Sequence, residues 1–146
     1  MNDQRTERAG GGFPHIPPAG LLFGLGIDVI EAARIQRLLE HLPAAYDRLF
    51  SAQERAYCDR FSEPWSHYAA RFAAKEAVGK ALGIGIIGFV WRDVEVLSGG
   101  KPVIALHGDV ARIAERLGVT RVEVSLSHTG GVAYAVAAAL KEEAHG

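Results

Sequence analysis

The first apolar stretch of the chain alternates in a way that predicts a β-strand. Odd-numbered positions from Leu21 to Val29 are all apolar, whereas the even-numbered positions include Gly24, Gly26 and Asp28. A period of two is the signature of a strand, with successive side chains on opposite faces. Glycine weakens a strand, and two on one face indicate close approach by another backbone or by a ligand. The pattern therefore predicts a strand with one cleared face that ends in a carboxylate.

The next stretch changes to a helical period. The predicted helix covers residues 31–42 and ends at Pro43. Apolar residues spaced three and four apart form its predicted buried stripe, namely Ala32, Ile35, Leu39 and Leu42. A second, more exposed strip carries Arg34, Arg37, Leu38 and His41.

Turn and capping residues delimit the remaining elements. Ser51 and Glu54 form a predicted capping box at the start of a helix over residues 52–61, and Pro64 suits the first turn of another helix that stops near Gly83. We predict a hairpin from residues 91–97 and 101–106, a helix over 109–117, a strand over 122–127 and a turn at 129–131. The final run, VAYAVAAAL, is rich in alanine, but the strand and tight turn before it favour a strand.

The fold class expected is α+β, a single domain of mixed helices and antiparallel sheet over residues 21–142. Residues 1–20 are expected to form a disordered lead-in.

Composition and charge exclude several classes of protein. The 146 residues carry a formal net charge of −1, without the basic excess typical of nucleic-acid binding. The apolar runs are too short to span a membrane, and the N-terminus lacks a signal-peptide core. Cys58 is the one cysteine, so an internal disulfide and a cysteine-based zinc site are excluded. A reducing, cytoplasmic location is the simplest interpretation.

The stretch RFAAKEAVGKALGIG raises the first question of chemistry. Glu76 and Lys80 lie one helical turn apart with Gly79 between them. A solvent-exposed ion pair is the simpler interpretation, because such pairs are common and worth little. Glycine inside a helix costs about 1 kcal/mol relative to alanine, however, so Gly79 indicates close approach by another group to that surface. Glu76 and Lys80 can thus hold a metal ion and an anionic group together.

Two further segments supply candidate ligands. Asp28 is either the N-cap of the helix that follows it or a partner for Glu76, and two carboxylates suffice for Mg²⁺ when phosphates and water complete the shell. His128 lies in SLSHTGG and is either structural or catalytic. Its neighbour Thr129 and the amides of the following glycines can cradle a phosphate.

The segments GLGIDVIEAARI, RFAAKEAVGKALG and VEVSLSHT occur in this order, and together they resemble the holo-acyl-carrier-protein synthases. These are the small, single-domain class of 4′-phosphopantetheinyl transferases. The resemblance extends over nearly all of the chain after the lead-in. It implies transfer of phosphopantetheine from coenzyme A to a serine of apo-acyl carrier protein, with 3′,5′-ADP as the leaving group.

The resemblance also implies roles for individual residues. Asp28 and Glu76 would hold Mg²⁺, with Glu76, Lys80 and His128 as the catalytic set and Glu76 the candidate proton acceptor. Coenzyme A would be bound by Arg71, Lys80, Gly83, His128 and Thr129. The resemblance further implies a trimer with its sites between subunits. His128 and Thr129 would then come from a neighbouring protomer.

The carrier protein is acidic, and the resemblance places its docking surface on Arg34 and Phe72. The basic strip of the first helix adds Arg37 to this predicted surface. For Arg37 a merely solvated helix face is an equal alternative. Two other functions stay open from the sequence: a Mg²⁺-dependent nucleotide pyrophosphate hydrolase, and a catalytically silent module that binds coenzyme A.

Overall fold

The computed structural model of the chain describes residues 20–85 and 90–142. Most of the predicted lead-in therefore lies outside the described residues. In chain order the elements are β1 (Gly20–Glu31), α1 (Ala32–His41), α2 (Ala45–Leu49), α3 (Ala52–Cys58), α4 (Trp65–Leu82), a 3₁₀ turn (Trp91–Asp93), β2 (Val94–Leu97), β3 (Val103–Leu106), α5 (Gly108–Arg116), β4 (Arg121–Thr129) and β5 (Val132–Glu142). The predicted class, a single domain of mixed helices and antiparallel sheet, is confirmed.

An antiparallel sheet of three strands forms the base of the domain, in the order β1-β5-β4. Helix α4 lies across one of its faces, and alanines fill the contact on both sides. The buried alanines include Ala69, Ala73, Ala77 and Ala81 of α4 and Ala133, Ala135, Ala137 and Ala139 of β5. Small side chains let the helix approach the sheet closely, because nothing larger than a methyl group separates the two backbones.

The approach is closest at the two strand glycines. A methyl carbon on Gly26 would overlap the carbonyl oxygen of Ala77, and one on Gly24 would overlap that of Ala81. The cleared face of β1 therefore receives a helix backbone, one of the two occupants that the sequence predicted.

The capping box of α3 is confirmed, with Ser51 Oγ accepting from the Glu54 amide and Glu54 accepting from the Ser51 amide. The hairpin of β2 and β3 is also confirmed, although residues 91–93 form a 3₁₀ turn instead of strand. Gly83 ends α4 in the left-handed conformation with φ of 72°.

Some details of the helices differ from the prediction. Leu42 is 47% exposed, because it lies beyond the last turn of α1 where the chain reverses. Helix α3 stops at Cys58 instead of continuing to residue 61, and the short α2 was not predicted at all. The alanine-rich last segment is a strand, as predicted, and it pairs with both of its neighbours. No helix in the described ranges is long and apolar enough to cross a membrane.

Candidate active site

Asp28 lies on the face of β1 that receives α4, two residues after Gly26. It pairs with Ala135 inside the strand, and α1 begins only after Glu31. The alternative that Asp28 is the N-cap of α1 is therefore wrong. Its side chain is 19% exposed, so the carboxylate borders solvent at the edge of the contact with the helix.

Lys80 reaches across from α4 to this strand. Its ammonium donates to the carbonyl oxygen of Ile27 at 2.8 Å and to Asp28 Oδ1 at 3.2 Å. Glu76 lies one turn earlier on the same helix and is half-buried. Asp28, Glu76 and Lys80 thus form one charged cluster, although they come from segments about fifty residues apart. The interpretation of Glu76 and Lys80 as mere solvent-exposed neighbours does not describe this arrangement, since Lys80 binds the strand.

The electrostatics of the cluster favour a cation. Burial raises the pKa of Glu76, and the nearby Asp28 carboxylate raises it further, while Lys80 and Arg34 oppose both effects. Two carboxylates that repel each other across a half-buried gap offer the oxygen ligands that Mg²⁺ prefers, and this ion commonly takes only one or two from the protein. The donors present therefore fit a Mg²⁺ ion held by Asp28 and Glu76. No larger group of potential ligands, with three or more histidine, cysteine or acidic residues, occurs in the described part of the chain.

A pocket of about 250 Å³ opens beside the charged cluster. Charged and apolar residues together line it, namely Lys75, Glu76, Gly79 and Lys80 of α4 with Ile84, Gly85 and Trp91. We call this cavity the Trp91 pocket. Gly83, which the sequence placed in the binding site, caps the helix behind this pocket and is not among the residues that line it. The pocket can receive a ligand with a charged end and a neutral, extended remainder.

Arg71 is on a different side of α4 from the charged cluster. Only 4% exposed, it donates to the His67 carbonyl and to Ser98 Oγ, and its guanidinium lies 4.1 Å from the centre of the Tyr57 ring. Arg60 approaches the same ring at 5.8 Å. Among the described residues no carboxylate pairs with Arg71, and its Nε has no hydrogen-bond partner. A buried guanidinium without a counter-ion attracts an anion.

His128 and Thr129 lie at the exposed end of β4 and are separated from the charged cluster. His128 and Asp28 are on the same face of the sheet, but strand β5 lies between their strands. Asp28 pairs with Ala135 of β5, whereas His128 pairs with Ala133, two residues away along that strand. Its ring contacts His67 edge-on with 5.6 Å between centres. Within one chain, then, His128 does not face Glu76.

The predicted docking residues are exposed on α1 at the mouth of the site. Arg34, Arg37 and His41 are exposed and Leu38 is 37% exposed. Arg34 is close enough to lower the pKa of Glu76, so the basic strip adjoins the cluster. Phe72 is half-buried and stacks on Trp91 with 4.9 Å between ring centres.

Sequence reasoning missed one polar feature beside this site. Lys75 and Glu54 are both fully buried and form an ion pair of 2.9 Å beneath the Trp91 pocket. A signal was present, because Lys75 follows Ala73 and Ala74 and precedes Ala77 in a run of small residues. A charged residue in such a run requires a partner when it is buried with its neighbours, as Lys75 is.

Comparisons with known proteins match the sequence and the fold of this chain. A sequence model described as the 4′-phosphopantetheinyl transferase superfamily matches residues 24–139. The holo-[acyl-carrier-protein] synthase of Anaeromyxobacter dehalogenans is 50% identical over 120 residues, which span 79% of this chain and 93% of that protein. The crystal structure of the Neisseria meningitidis enzyme of the same name is similar, with a TM-score of 0.74, 31% identity and coverage of 82% of this chain and 98% of that one. The Bacillus anthracis synthase in complex with CoA (3′,5′-ADP) is similar with a TM-score of 0.68 and 30% identity, over 83% and 98% of the two chains.

Proposed function

Because this chain belongs to the 4′-phosphopantetheinyl transferase superfamily, as one of its holo-acyl-carrier-protein synthases, we propose that the charged cluster and the Trp91 pocket are its transfer site. The family predicted from the sequence is confirmed. The chain is an enzyme that moves the 4′-phosphopantetheine arm of coenzyme A to a serine of apo-acyl carrier protein.

In this reaction the serine oxygen bonds to the phosphorus that carries the pantetheine arm. The bond from that phosphorus to the bridging oxygen breaks, and 3′,5′-ADP leaves with the electron pair. Positioning and neutralisation of phosphate charge supply most of the catalysis in such transfers. Lys80 lies where its ammonium can contact a phosphate oxygen, and Glu76 takes the serine proton. The raised pKa of Glu76 supports that role, because a more basic carboxylate is a better proton acceptor near neutral pH.

Asp28 and Glu76 would hold a Mg²⁺ ion on the pyrophosphate. The ion, when bound, supplies charge neutralisation at the phosphate oxygens. What supports this assignment is the pair of converging carboxylates, one of which raises the pKa of the other.

The Trp91 pocket suits the pantetheine arm. The arm is neutral and extended, and it begins at the phosphate that Lys80 would contact. The pocket likewise has both charged lining residues, Glu76 and Lys80, and apolar ones, Ile84 and Trp91. The nucleotide carries several negative charges and belongs elsewhere, beside Arg71, His128 and Thr129. The buried guanidinium of Arg71, whose Nε has no hydrogen-bond partner and which pairs with no carboxylate among the described residues, supports binding of the 3′-phosphate there.

The observation that carries the function is the convergence of Asp28, Glu76 and Lys80 at the mouth of an apolar pocket. The experiment that tests it is the intact mass of an apo-acyl carrier protein after incubation with this chain, coenzyme A and Mg²⁺. We expect the mass to increase by one phosphopantetheine arm, and EDTA to prevent the increase. If the mass of several carriers stayed unchanged while this chain was shown to be folded, a transferase would be contradicted. Pyrophosphate hydrolysis and silent binding would then be tested. Fatty-acid, polyketide and peptide-synthetase carriers should all be included.

Trimer formation is proposed from the uncovered face of the sheet. On this face of β1 four apolar residues are between 48% and 59% exposed, namely Leu22, Leu25, Ile27 and Val29. The register shift between Leu22 and Gly24 brings Leu22, and not Leu21 as the alternation predicted, onto this face opposite Leu140. Tyr134 of β5, opposite Val29, continues this apolar face. An exposed apolar surface of this kind marks an interface. A closed ring of three subunits would cover it and bring His128 of one protomer to Glu76 of the next.

We expect Ile27→Glu to convert the trimer into monomers, because a charge would be buried in the interface. Size-exclusion chromatography with light scattering measures the change. Val103→Glu is the matched control, since Val103 is equally exposed, at 56%, but lies on the separate hairpin. If both variants were monomeric, or if both remained trimeric, the proposed interface would be refuted.

Arg34 and Arg37 are proposed to dock the acidic carrier. We expect Arg34→Glu to lower the association rate with the carrier about tenfold or more at low salt, because reversing a charge at the rim of an interface acts mainly on association. Affinity for coenzyme A should change little. Surface plasmon resonance at two salt concentrations gives both values, with Arg116→Glu on α5 as the control. Equal loss of carrier and coenzyme A binding would contradict a docking role.

A cytoplasmic location is also proposed. Cys58 is fully buried and unpaired, and burial raises the pKa of its thiol to about 12. An unmodified free thiol of this kind is compatible with a reducing compartment.

A further inference from the structure

The buried pair of Glu54 and Lys75 has every hydrogen-bonding group satisfied. Lys75 Nζ donates to Glu54 Oε1 at 2.9 Å, to the Trp91 carbonyl at 3.1 Å and to the Val94 carbonyl. An ammonium has three protons, so its donor capacity is fully used. The second carboxylate oxygen of Glu54 accepts from the Val96 amide at 3.0 Å. Fully satisfied buried networks rigidify the segments that they join.

Those segments are three separate parts of the fold. Glu54 belongs to the first turn of α3, Lys75 to the middle of α4, and the main-chain partners to the 3₁₀ turn and strand β2. The segment from Trp91 to Val96 therefore has three main-chain groups bound to this one pair. Burial lowers the pKa of Lys75, and the Glu54 carboxylate opposes this effect. Lys75 directly precedes Glu76 in α4, so the buried pair is joined to the helix that carries the charged cluster.

Trp91 connects the buried pair to the pocket. Its carbonyl is held by Lys75, and its indole is one wall of the Trp91 pocket. The indole also stacks on Phe72 with an angle of 19° between the rings. The buried pair thus holds the main chain of Trp91, and Phe72 packs against its ring.

We propose that Glu54 and Lys75 are positioning residues that hold the Trp91 indole as the wall against which the pantetheine arm packs, so that Trp91 sets affinity for the arm of coenzyme A and not for its nucleotide. This inference rests on the proposed function. It assigns the arm's affinity to a tryptophan and to a buried ion pair, and Lys75 of that pair also lines the Trp91 pocket.

The test compares coenzyme A with 3′,5′-ADP, which lacks the arm, by isothermal titration calorimetry. Trp91→Leu removes the ring, and the Glu54→Gln/Lys75→Met double variant removes the anchor without leaving a buried charge. Glutamine also retains an acceptor for the capping box of α3. We expect each protein to bind coenzyme A roughly tenfold more weakly, as loss of an aromatic wall implies, and to bind 3′,5′-ADP as the wild type does. The triple variant should show no further loss, because both changes act through the same ring.

The control is the second ion pair of α3, Arg55 with Asp47, whose atoms are 2.5 Å apart at the surface. The Arg55→Met/Asp47→Asn variant should bind both ligands normally. If the Glu54→Gln/Lys75→Met variant does not fold, Lys75→Arg replaces it, since arginine keeps the charge but presents its donors in a different geometry.

Equal weakening of both ligands, no weakening of either, or additive losses in the triple variant would overturn the positioning role. Failure of the wild type itself to bind coenzyme A would instead refute the proposed function, and the inference with it. The two failures are therefore distinguishable from the wild-type titration alone.

Discussion

Glu76→Gln should reduce the rate of phosphopantetheine transfer by about a thousandfold, because the amide neither holds a divalent cation with Asp28 nor accepts the serine proton. The substitution keeps the size and shape of the side chain. It also removes a half-buried charge that lies beside another carboxylate, so the melting temperature should stay the same or rise. Intact-mass assays of the carrier under single-turnover conditions measure the rate, and a thermal melt measures the stability.

The control for this variant is Glu115→Gln on α5, an exposed carboxylate far from the charged cluster. It should transfer at the wild-type rate. Wild-type turnover by Glu76→Gln would remove Glu76 from the site altogether. A loss of rate together with a lower melting temperature would point instead to a structural role.

Gly26→Ala should destabilise the domain by about 3 kcal/mol or more, since inserting a methyl group into a packed contact forces backbones apart. The added carbon would overlap the Ala77 carbonyl oxygen and approach the Ala81 amide nitrogen to 2.9 Å. These are main-chain atoms of a helix, which cannot rotate away as the end of a side chain can. A melting temperature lower by an amount on the order of 10 °C is expected.

Gly100→Ala provides the control, because nothing lies within 4 Å of the position its methyl group would take. Chemical denaturation of the two variants gives the difference in free energy of unfolding. Transfer activity should fall in the Gly26 variant as well, because β1 carries Asp28 and α4 carries Glu76. Equal stability of the two variants would show that β1 and α4 do not meet at this glycine.

The sequence predicted the elements well where a local signal was strong. The capping box at Ser51 and the left-handed glycine at Gly83 each fixed one end of a helix. The final strand was predicted against its alanine content, and the reason is now visible. Its alanines face α4, where only small side chains fit, so alanine there reflects packing and not helix propensity.

The candidate site could be predicted only in part. The pairing of Asp28 with Glu76 followed from residue types and the family resemblance, but the contact between Lys80 and Asp28 depends on how far the helix advances along the strand. The Glu54–Lys75 pair joins residues 21 apart across two helices. No periodicity within either helix encodes such a pairing, because it is decided by how α3 docks on α4. The role of Trp91 depends in turn on that pair.

The separation of His128 from Glu76 within one chain has a genetic consequence. If each site takes Glu76 from one subunit and His128 from its neighbour, a chain defective at one position still contributes an intact other half. Two inactive alleles, one altered at each position, would then complement each other when expressed together, because mixed assemblies contain some interfaces with both halves intact. Defects at Asp28 and Glu76 lie in the same half and would not complement.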